Sequence, residues 1–525
     1  MEPYAFSEQD LKQMEDWGLT SAEVNRQLEI FNRPASFLKL TAPCTVEDGI
    51  RTFDREKRDT LAAVYESKGP GRDCVKFVPA SGAASRMFKV LLRYFHRDGE
   101  ITRSMVAGEA AAGSPDAEQF LIFADGLKRF AFFRDLQSVM EDHNLRVDAL
   151  LKEGRFRDIL GFLLTDKGLD YADLPKGLLK FHEYPTGSRT AFEEHLVEAA
   201  SYVTRRDGRC VLGFTVSPEH MDRFNATLQE AKGVYEEKFK VQYAVSFSVQ
   251  DPSTDTIAVD LDNAPFRQED GSLLFRPGGH GALLRNLHLI DGEIIFIKNI
   301  DNVVPDHLKP ETSLWKKITA GYLLEMQGRI FGFMEKLASG NTDPRLLDQA
   351  ADFLEKELLI SVPGHMKQGP PEERRAYLAE RLDRPIRVCG MVRNVGEPGG
   401  GPFWVEDGSG QRSIQIVETA QIDFDSAQQR EIFDASTHFN PVDLVCGVKD
   451  WQGRPFDLTR FVDPDAVFIS RKFKDGKDLK ALEHPGLWNG SMSGWITQLV
   501  EVPDITFNPV KTVNDLLRKG HQPAG

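Results

Sequence analysis

The chain has no stretch that approaches eighteen uninterrupted apolar residues, and its opening Met1-Glu2-Pro3-Tyr4 has neither the basic segment nor the apolar run of an export leader. The expectation is a soluble protein of the cytoplasm that does not engage a membrane. Cysteine is sparse and unpaired: Cys44, Cys74, Cys210, Cys389 and Cys446 are odd in number, widely spaced and form no CxxC. That excludes a disulfide framework and a cysteine zinc site. An excess of basic charge is also missing, since 65 Lys and Arg against 80 Asp and Glu leave a formal charge of −15. A field of that sign repels nucleic acid unless a local patch overrides it, so nucleic-acid binding is not expected. There is no repeat of solenoid period and no low-complexity tract beyond the short run Gly399-Gly400-Gly401, which reads as a mobile loop that could close over a substrate.

The 525 residues, 41% of them hydrophobic, suffice for two or three packed units. Residues 1–72 read as an N-terminal helical segment, with Ser7 before Asp10 and Thr20 before Glu23 as hydroxyl caps with carboxylates three residues on. Residues 73–370 read as an α/β domain. Within it, a strand at Cys74 to Val78 runs into a small-residue turn, and a helical insertion spans about 115–165, with Phe120, Phe123, Leu127 and Phe130 at helical spacing. From Leu174 onward strands (Cys210 to Val216, Gln242 to Val249, Glu293 to Ile297) alternate with helices (Pro218 to Lys232), the pattern of a sheet with helices on its faces. Residues 371–525 read as a β-rich C-terminal unit.

Five segments carry candidate chemistry. Pro79-Ala80-Ser81-Gly82-Ala83-Ala84-Ser85-Arg86-Met87 lies between a strand and a helix. Small side chains at Ser81, Gly82 and Ala83 let backbone N–H groups approach an anion, a helix start adds favourable partial charge, and Arg86 supplies a planar cation. This turn is neither a Walker A loop, which ends in Gly-Lys-Ser/Thr, nor a GxGxxG turn. Pro175-Lys176 brings a lysine, followed by Phe181-His182 and an acidic helix at Glu193-Glu194-His195. Arg276-Pro277-Gly278-Gly279-His280-Gly281 exposes backbone to a flat ligand beside one imidazole. Ile294 to Asn302 is an apolar strand ending in Asp301, at the strand end where open α/β sheets place ligands and where one carboxylate suits Mg²⁺. Phe507 to Leu517 brings Lys511.

In order and spacing these segments resemble the sugar-nucleotide pyrophosphorylases, and among them the UDP-glucose and UDP-N-acetylhexosamine enzymes. The first turn of that superfamily, Gly-Gly-x-Gly-Thr-Arg-Met, is similar to Ser81 to Met87, with Ser81 and Ala84 standing where glycines are usual and narrowing the cradle. The family's Pro-Lys step resembles Pro175-Lys176, although here about ninety residues separate it from the first turn. Its Pro-Gly-His-Gly turn resembles Pro277 to Gly281, its Asn-x-Asp-Asn strand end matches Asn299-Ile300-Asp301-Asn302, and its closing Phe-x-Pro-Val-Lys-x-x-x-Asp-Leu-Leu is similar to Phe507 to Leu517.

The resemblance implies a nucleotidyltransferase-like mixed-sheet core of the GT-A, Rossmann-like kind. It also implies transfer of a nucleotidyl group from a nucleoside triphosphate, UTP favoured, to a sugar 1-phosphate with release of pyrophosphate. By the same resemblance Arg86 neutralises the triphosphate, and Gly279 and Gly281 lie against the base. His280 and Asn489 face the sugar phosphate and the sugar, Asp301 holds Mg²⁺, and Lys511 and Lys176 contact phosphate. Two other readings stay open. One is a glycosyltransferase of related fold using Asp260-Leu261-Asp262, a spacing that also suits a strand end with solvated carboxylates. The other is a sugar-nucleotide-binding protein without catalysis. Oligomeric state is not legible.

Overall fold

The computed structural model describes residues 3–33, 37–82, 84–396 and 399–524. The chain divides into two compact units, each assembled from three stretches: 1–75, 250–297 and 317–502 form the first, and 76–249, 298–316 and 503–525 the second. This corrects the three consecutive pieces expected from the sequence. Strands of the β-rich tail pair with one another and also with strands far upstream.

In the first unit, Lys39–Pro43 pairs antiparallel with Gly401–Glu406, which pairs in turn with Arg412–Val417. The strand Ile50–Arg51 lies parallel to Ile496–Glu501, which is parallel to Ile386–Met391. Asp443–Gly447 is antiparallel to both Ile386–Met391 and Ile294–Ile297, giving a mixed sheet. Ile386–Met391, Asp443–Gly447 and Ile294–Ile297 are buried along their whole length, as strands covered on both faces must be. A further sheet joins Phe468–Lys474, Lys477–Glu483, Thr256–Val259 and Phe275–Arg276.

The N-terminal helices Glu8–Asp16 and Ser21–Phe31 form where the caps place them. Ser7 closes a capping box with Asp10, and Thr20 accepts from the Glu23 N–H. Their apolar stripe, Met14, Val24, Leu28 and Phe31, packs on Ile257, Phe275 and Leu482 of the last sheet. Asp10, in the first turn of the first helix, is buried and accepts from both terminal nitrogens of Arg267 at 2.9 Å. The glycine run is no open loop: Gly401 begins a strand, and the space for a Cβ at Gly400 is filled by the Val417 carbonyl at 1.7 Å. Glu397 and Pro398 of that segment lie outside the described residues.

In the second unit, residues 76–79 of the strand Cys74–Pro79 are parallel to Arg209–Thr215, which is parallel to Gln242–Ser248. The helix predicted from Pro218 starts as a short 3₁₀ turn and continues as Met221–Phe239, seven residues beyond the predicted end, stopping where Lys240 turns left-handed. Phe192 and Phe224 meet Phe214 and Phe247 on one face of these strands. The helical insertion forms as predicted, with Phe120, Phe123, Leu127 and Phe130 all at most 1% exposed. Burial of each such side chain stabilises by roughly 1.5–3 kcal/mol.

The Arg267 guanidinium beside Asp10 holds its carboxyl down at about 2, more than burial raises it. A depressed folded value means that the stabilisation is complete above the unfolded value of about 4 and is lost as pH falls from there through about 2. Thermal unfolding between pH 2 and 7 should therefore show a shallower acid limb for Asp10→Asn than for the parent chain. Parallel limbs would show that the pair contributes nothing.

Candidate phosphate site

Four of the five candidate segments meet inside the second unit, and backbone hydrogen bonds do the joining. The Ala84 N–H donates to the Leu174 carbonyl at 3.1 Å and the Lys176 N–H to the Gly82 carbonyl at 3.3 Å, so the small-residue turn is stitched to the Pro-Lys step. The Val513 N–H reaches the Met87 carbonyl at 3.2 Å, and the Val510 N–H reaches the Asp301 carbonyl at 3.2 Å. Asn302 is the clamp between the strand end and the C-terminal segment. Its Nδ2 donates to the Thr506 carbonyl at 3.1 Å, and its Oδ1 accepts from the Asn508 N–H at 2.8 Å.

At the centre lies Asp301, whose side chain is 8% exposed. Lys176 Nζ donates to its Oδ2 at 2.6 Å and to the Val510 carbonyl at 2.6 Å. Lys511 Nζ donates to the same Oδ2 at 3.3 Å, its own side chain 64% exposed. Burial alone would raise the Asp301 carboxyl. The two ammonium groups more than offset it and hold the group below its ordinary value. One carboxylate facing two ammonium groups leaves a surplus positive charge on the exposed side. Ser81 and Gly82 are exposed, with nothing within 4 Å of the position a Gly82 Cβ would take, and Arg86 stands exposed on the same turn. Ala83 lies outside the described residues. The helix after the turn is short and late. It runs Lys89–Phe95 with no side-chain cap, so the positive end of a helix is not at the turn where the sequence suggested it.

Behind Asp301 the helix Ala191–Ala199 is buried almost all round, and its acids are satisfied by bases from elsewhere in the unit. Glu198 accepts from Lys76 at 3.1 Å and Lys298 at 2.8 Å, all three side chains at most 2% exposed. Burial pulls the Lys76 ammonium down to about 8, while Lys298 and Lys76 hold Glu198 well below its usual range against its own burial. His195 Nε2 donates to the Ile300 carbonyl at 3.2 Å and so braces the residue before Asp301. Glu194 is bonded by His182 Nδ1 at 2.9 Å, Tyr184 at 2.6 Å and Lys309, and His182 Nε2 meets His521 Nδ1 at 2.9 Å. The sequence showed Glu193-Glu194-His195 only as an acidic helix. The alternation of acids with apolar residues in a helix buried on every side was the one available signal that these charges are internal.

The remaining candidates sit in the first unit. His280 packs on Trp488 with ring centroids 4.8 Å apart and the planes tilted by 33°, and its Nε2 and the Asn489 Oδ1 converge on Gly486, where an added Cβ would stand 2.5 and 2.6 Å from them. Burial pushes the His280 imidazole below its ordinary value, with Asn489 and Glu483 pulling the other way. Asn489 Nδ2 donates to the Ile416 carbonyl at 3.0 Å. The glycines of this turn answer to close packing. A Cβ on Gly281 would meet the Pro485 carbonyl at 2.2 Å and one on Gly278 the His484 ring at 2.3 Å, while Gly279 has φ +74° and Glu483 Oε2 at 2.8 Å. Asp260-Leu261-Asp262 is a turn: Asp260 Oδ1 accepts from the N–H groups of Asp262 and Ala264, both at 2.9 Å, which leaves that oxygen engaged.

Among the described residues no group of three His, Cys, Asp or Glu is arranged to hold a metal ion, and no helix is long and apolar enough to cross a membrane. Asp301 offers one carboxylate to such an ion, and both lysine ammonium groups engage its Oδ2. Magnesium keeps several waters and takes one or two protein carboxylates together with substrate oxygens.

The chain belongs to the family described as a domain of unknown function, DUF4301, whose model matches residues 7–522. No curated protein matches it in sequence. Among solved structures it is similar to the uridine diphosphate N-acetylglucosamine pyrophosphorylase of Trypanosoma brucei in complex with an inhibitor, at 12% identity over 94% of this chain and 74% of that one, TM-score 0.48. A UDP-glucose pyrophosphorylase variant of Leishmania major in complex with UDP-glucose shares 12% identity over 98% and 79%, TM-score 0.42. A UDP-glucose phosphorylase of Trypanosoma brucei shares 11% over 97% and 77%, TM-score 0.43.

If Asn302 is the clamp, Asn302→Ala leaves two backbone groups without their partner and should cost about 1–3 kcal/mol. Amide hydrogen exchange over residues 503–517 should then accelerate relative to the rest of the unit. Unchanged exchange there would show that the segment is held by something else.

Proposed function

We propose that the chain transfers a nucleotidyl group from a nucleoside triphosphate, UTP favoured, to a sugar 1-phosphate and releases pyrophosphate. The observation that carries this reading is the meeting of Lys176 and Lys511 at Asp301 Oδ2, beside the exposed turn of Ser81, Gly82 and Arg86. The five sequence segments that resemble the sugar-nucleotide pyrophosphorylases include all of these residues.

In the reaction a phosphate oxygen of the sugar 1-phosphate attacks the α-phosphorus, one P–O bond forms, the bond to the β-phosphate oxygen breaks, and pyrophosphate leaves with that electron pair. No covalent nucleophile and no proton transfer is needed, and the barrier is set by bringing two anions together. Positioning and charge neutralisation are then the work of the protein. Lys511, on the exposed side of Asp301, binds phosphate oxygens. Lys176, fixed by Asp301 and the Val510 carbonyl, presents its remaining hydrogen from a rigid position, and Arg86 binds the outer phosphates. The backbone N–H groups at Ser81 and Gly82 line the same polyphosphate. Mg²⁺, held by Asp301 and the substrate, would supply further charge neutralisation at the phosphates.

A second reading, a sugar-nucleotide-binding protein without turnover, draws on the same carboxylate. Two ammonium groups already neutralise Asp301, an arrangement that binds an anion without a metal. The two readings part in one experiment, a screen of nucleoside triphosphates against sugar 1-phosphates with Mg²⁺, read as released pyrophosphate. Turnover is expected with UTP and at least one sugar phosphate, and Lys511→Met and Arg86→Ala should each reduce kcat/KM at least tenfold while unfolding as the parent does. Thermal stabilisation by UTP with no pyrophosphate from any pair would favour the binding protein, and neither effect would dispose of both.

A further inference from the structure

A cavity of about 830 Å³ opens in the first unit, a size typical of small-molecule sites. Its walls are largely apolar, with Ile30, Leu284, Val467 and Leu482 among them, and Arg26 and Arg285, both more than half exposed, also line it. Asp465 is the one acid among its lining residues, and Arg33, also lining, bonds that carboxylate at 3.4 Å. The acids paired with the other two guanidinium groups lie outside the lining: Glu23 is 4.0 Å from Arg26, and Asp251 is 3.1 Å from Arg285, which also donates to the Ser253 hydroxyl at 2.5 Å. These pairs are more than one-third exposed on both sides, so each contributes little and yields readily to a better-placed anion. An apolar lining together with exposed guanidinium groups defines one kind of occupant by charge and shape.

We infer that this cavity binds a small amphipathic anion: an aliphatic or aryl body inside, and a single carboxylate, sulfonate or phosphate against Arg26 and Arg285. Guanidinium suits such heads because it offers planar paired donors and sheds water easily. Gly281 and Ala282 form part of the wall, so an occupant touches the turn that carries His280. The inference does not depend on nucleotidyl transfer.

The test uses the full chain and the fluorescent probe 8-anilinonaphthalene-1-sulfonate, an aryl sulfonate. Saturable binding at one site is expected, displaced by decyl phosphate and not by decyltrimethylammonium at equal concentration. Arg26→Glu with Arg285→Glu should weaken the probe at least tenfold, and Leu284→Trp, which fills the cavity, should abolish the site. Should a variant not fold, by circular dichroism, the opposite-charge pair of competitors on the parent chain decides alone. Non-saturating binding, equal displacement by the cation, or a folded double variant that binds as the parent does would each overturn the inference.

Discussion

A buried carboxylate shared by two lysines is the constraint around which the second unit is arranged. Taking Asp301 out of water costs several kcal/mol unless opposite charge stands close, and two ammonium groups supply it. Their exposures differ, 14% for Lys176 and 64% for Lys511, so the charge that is locked lies inside and the charge that is free to bind lies outside. The backbone makes the arrangement rigid. Val510 alone accepts from Lys176 and donates to the Asp301 carbonyl, tying the Pro-Lys step, the strand end and the C-terminal segment through one residue. A group of three charges summing to plus one, stiffly held and open on one side, is suited to an anion with several oxygens.

The support beneath it has the same character. Glu198 between Lys76 and Lys298, and Glu194 among His182, Tyr184 and Lys309, are ionic groups with almost no solvent. Removing one partner of such a set leaves a buried charge uncompensated, which makes these positions intolerant of change without making them reactive. His195 passes that rigidity to the strand end through the Ile300 carbonyl. The imidazole of His280 belongs to a different setting, packed on Trp488 in the first unit.

Much of this was legible in the sequence where the cause is local. Ser7 and Thr20 mark helix starts because a hydroxyl capping an N–H three residues on is a short-range event. The spacing of Phe120, Phe123, Leu127 and Phe130 marks a core face for the same reason. Asp301 and Lys511 were legible as motif residues, and their contact at 3.3 Å follows from neither motif alone. Lys176 was the weakest of the lysines in sequence terms because of its distance from the first turn, yet it makes the shortest bond to Asp301. Pairings such as Leu40 with Val405 or Val500 with Arg51 join residues hundreds of positions apart, so no local pattern could reveal units built from interleaved stretches. The glycines near His280 looked like ligand-facing backbone, but the sequence does not show that Pro485 and His484 occupy the space beside them.

The account stands or falls on whether the lysines at Asp301 hold a polyphosphate. Titration calorimetry of inorganic pyrophosphate into the parent chain and into Lys176→Met, Lys511→Met decides this without reference to turnover or to the sugar. Charge-assisted bonds worth about 1.5–3 kcal/mol each should vanish with the ammonium groups. Saturable binding to the parent, weakened at least tenfold in the folded double variant, is the predicted result. No binding to the parent, or equal affinity in both chains, would contradict it.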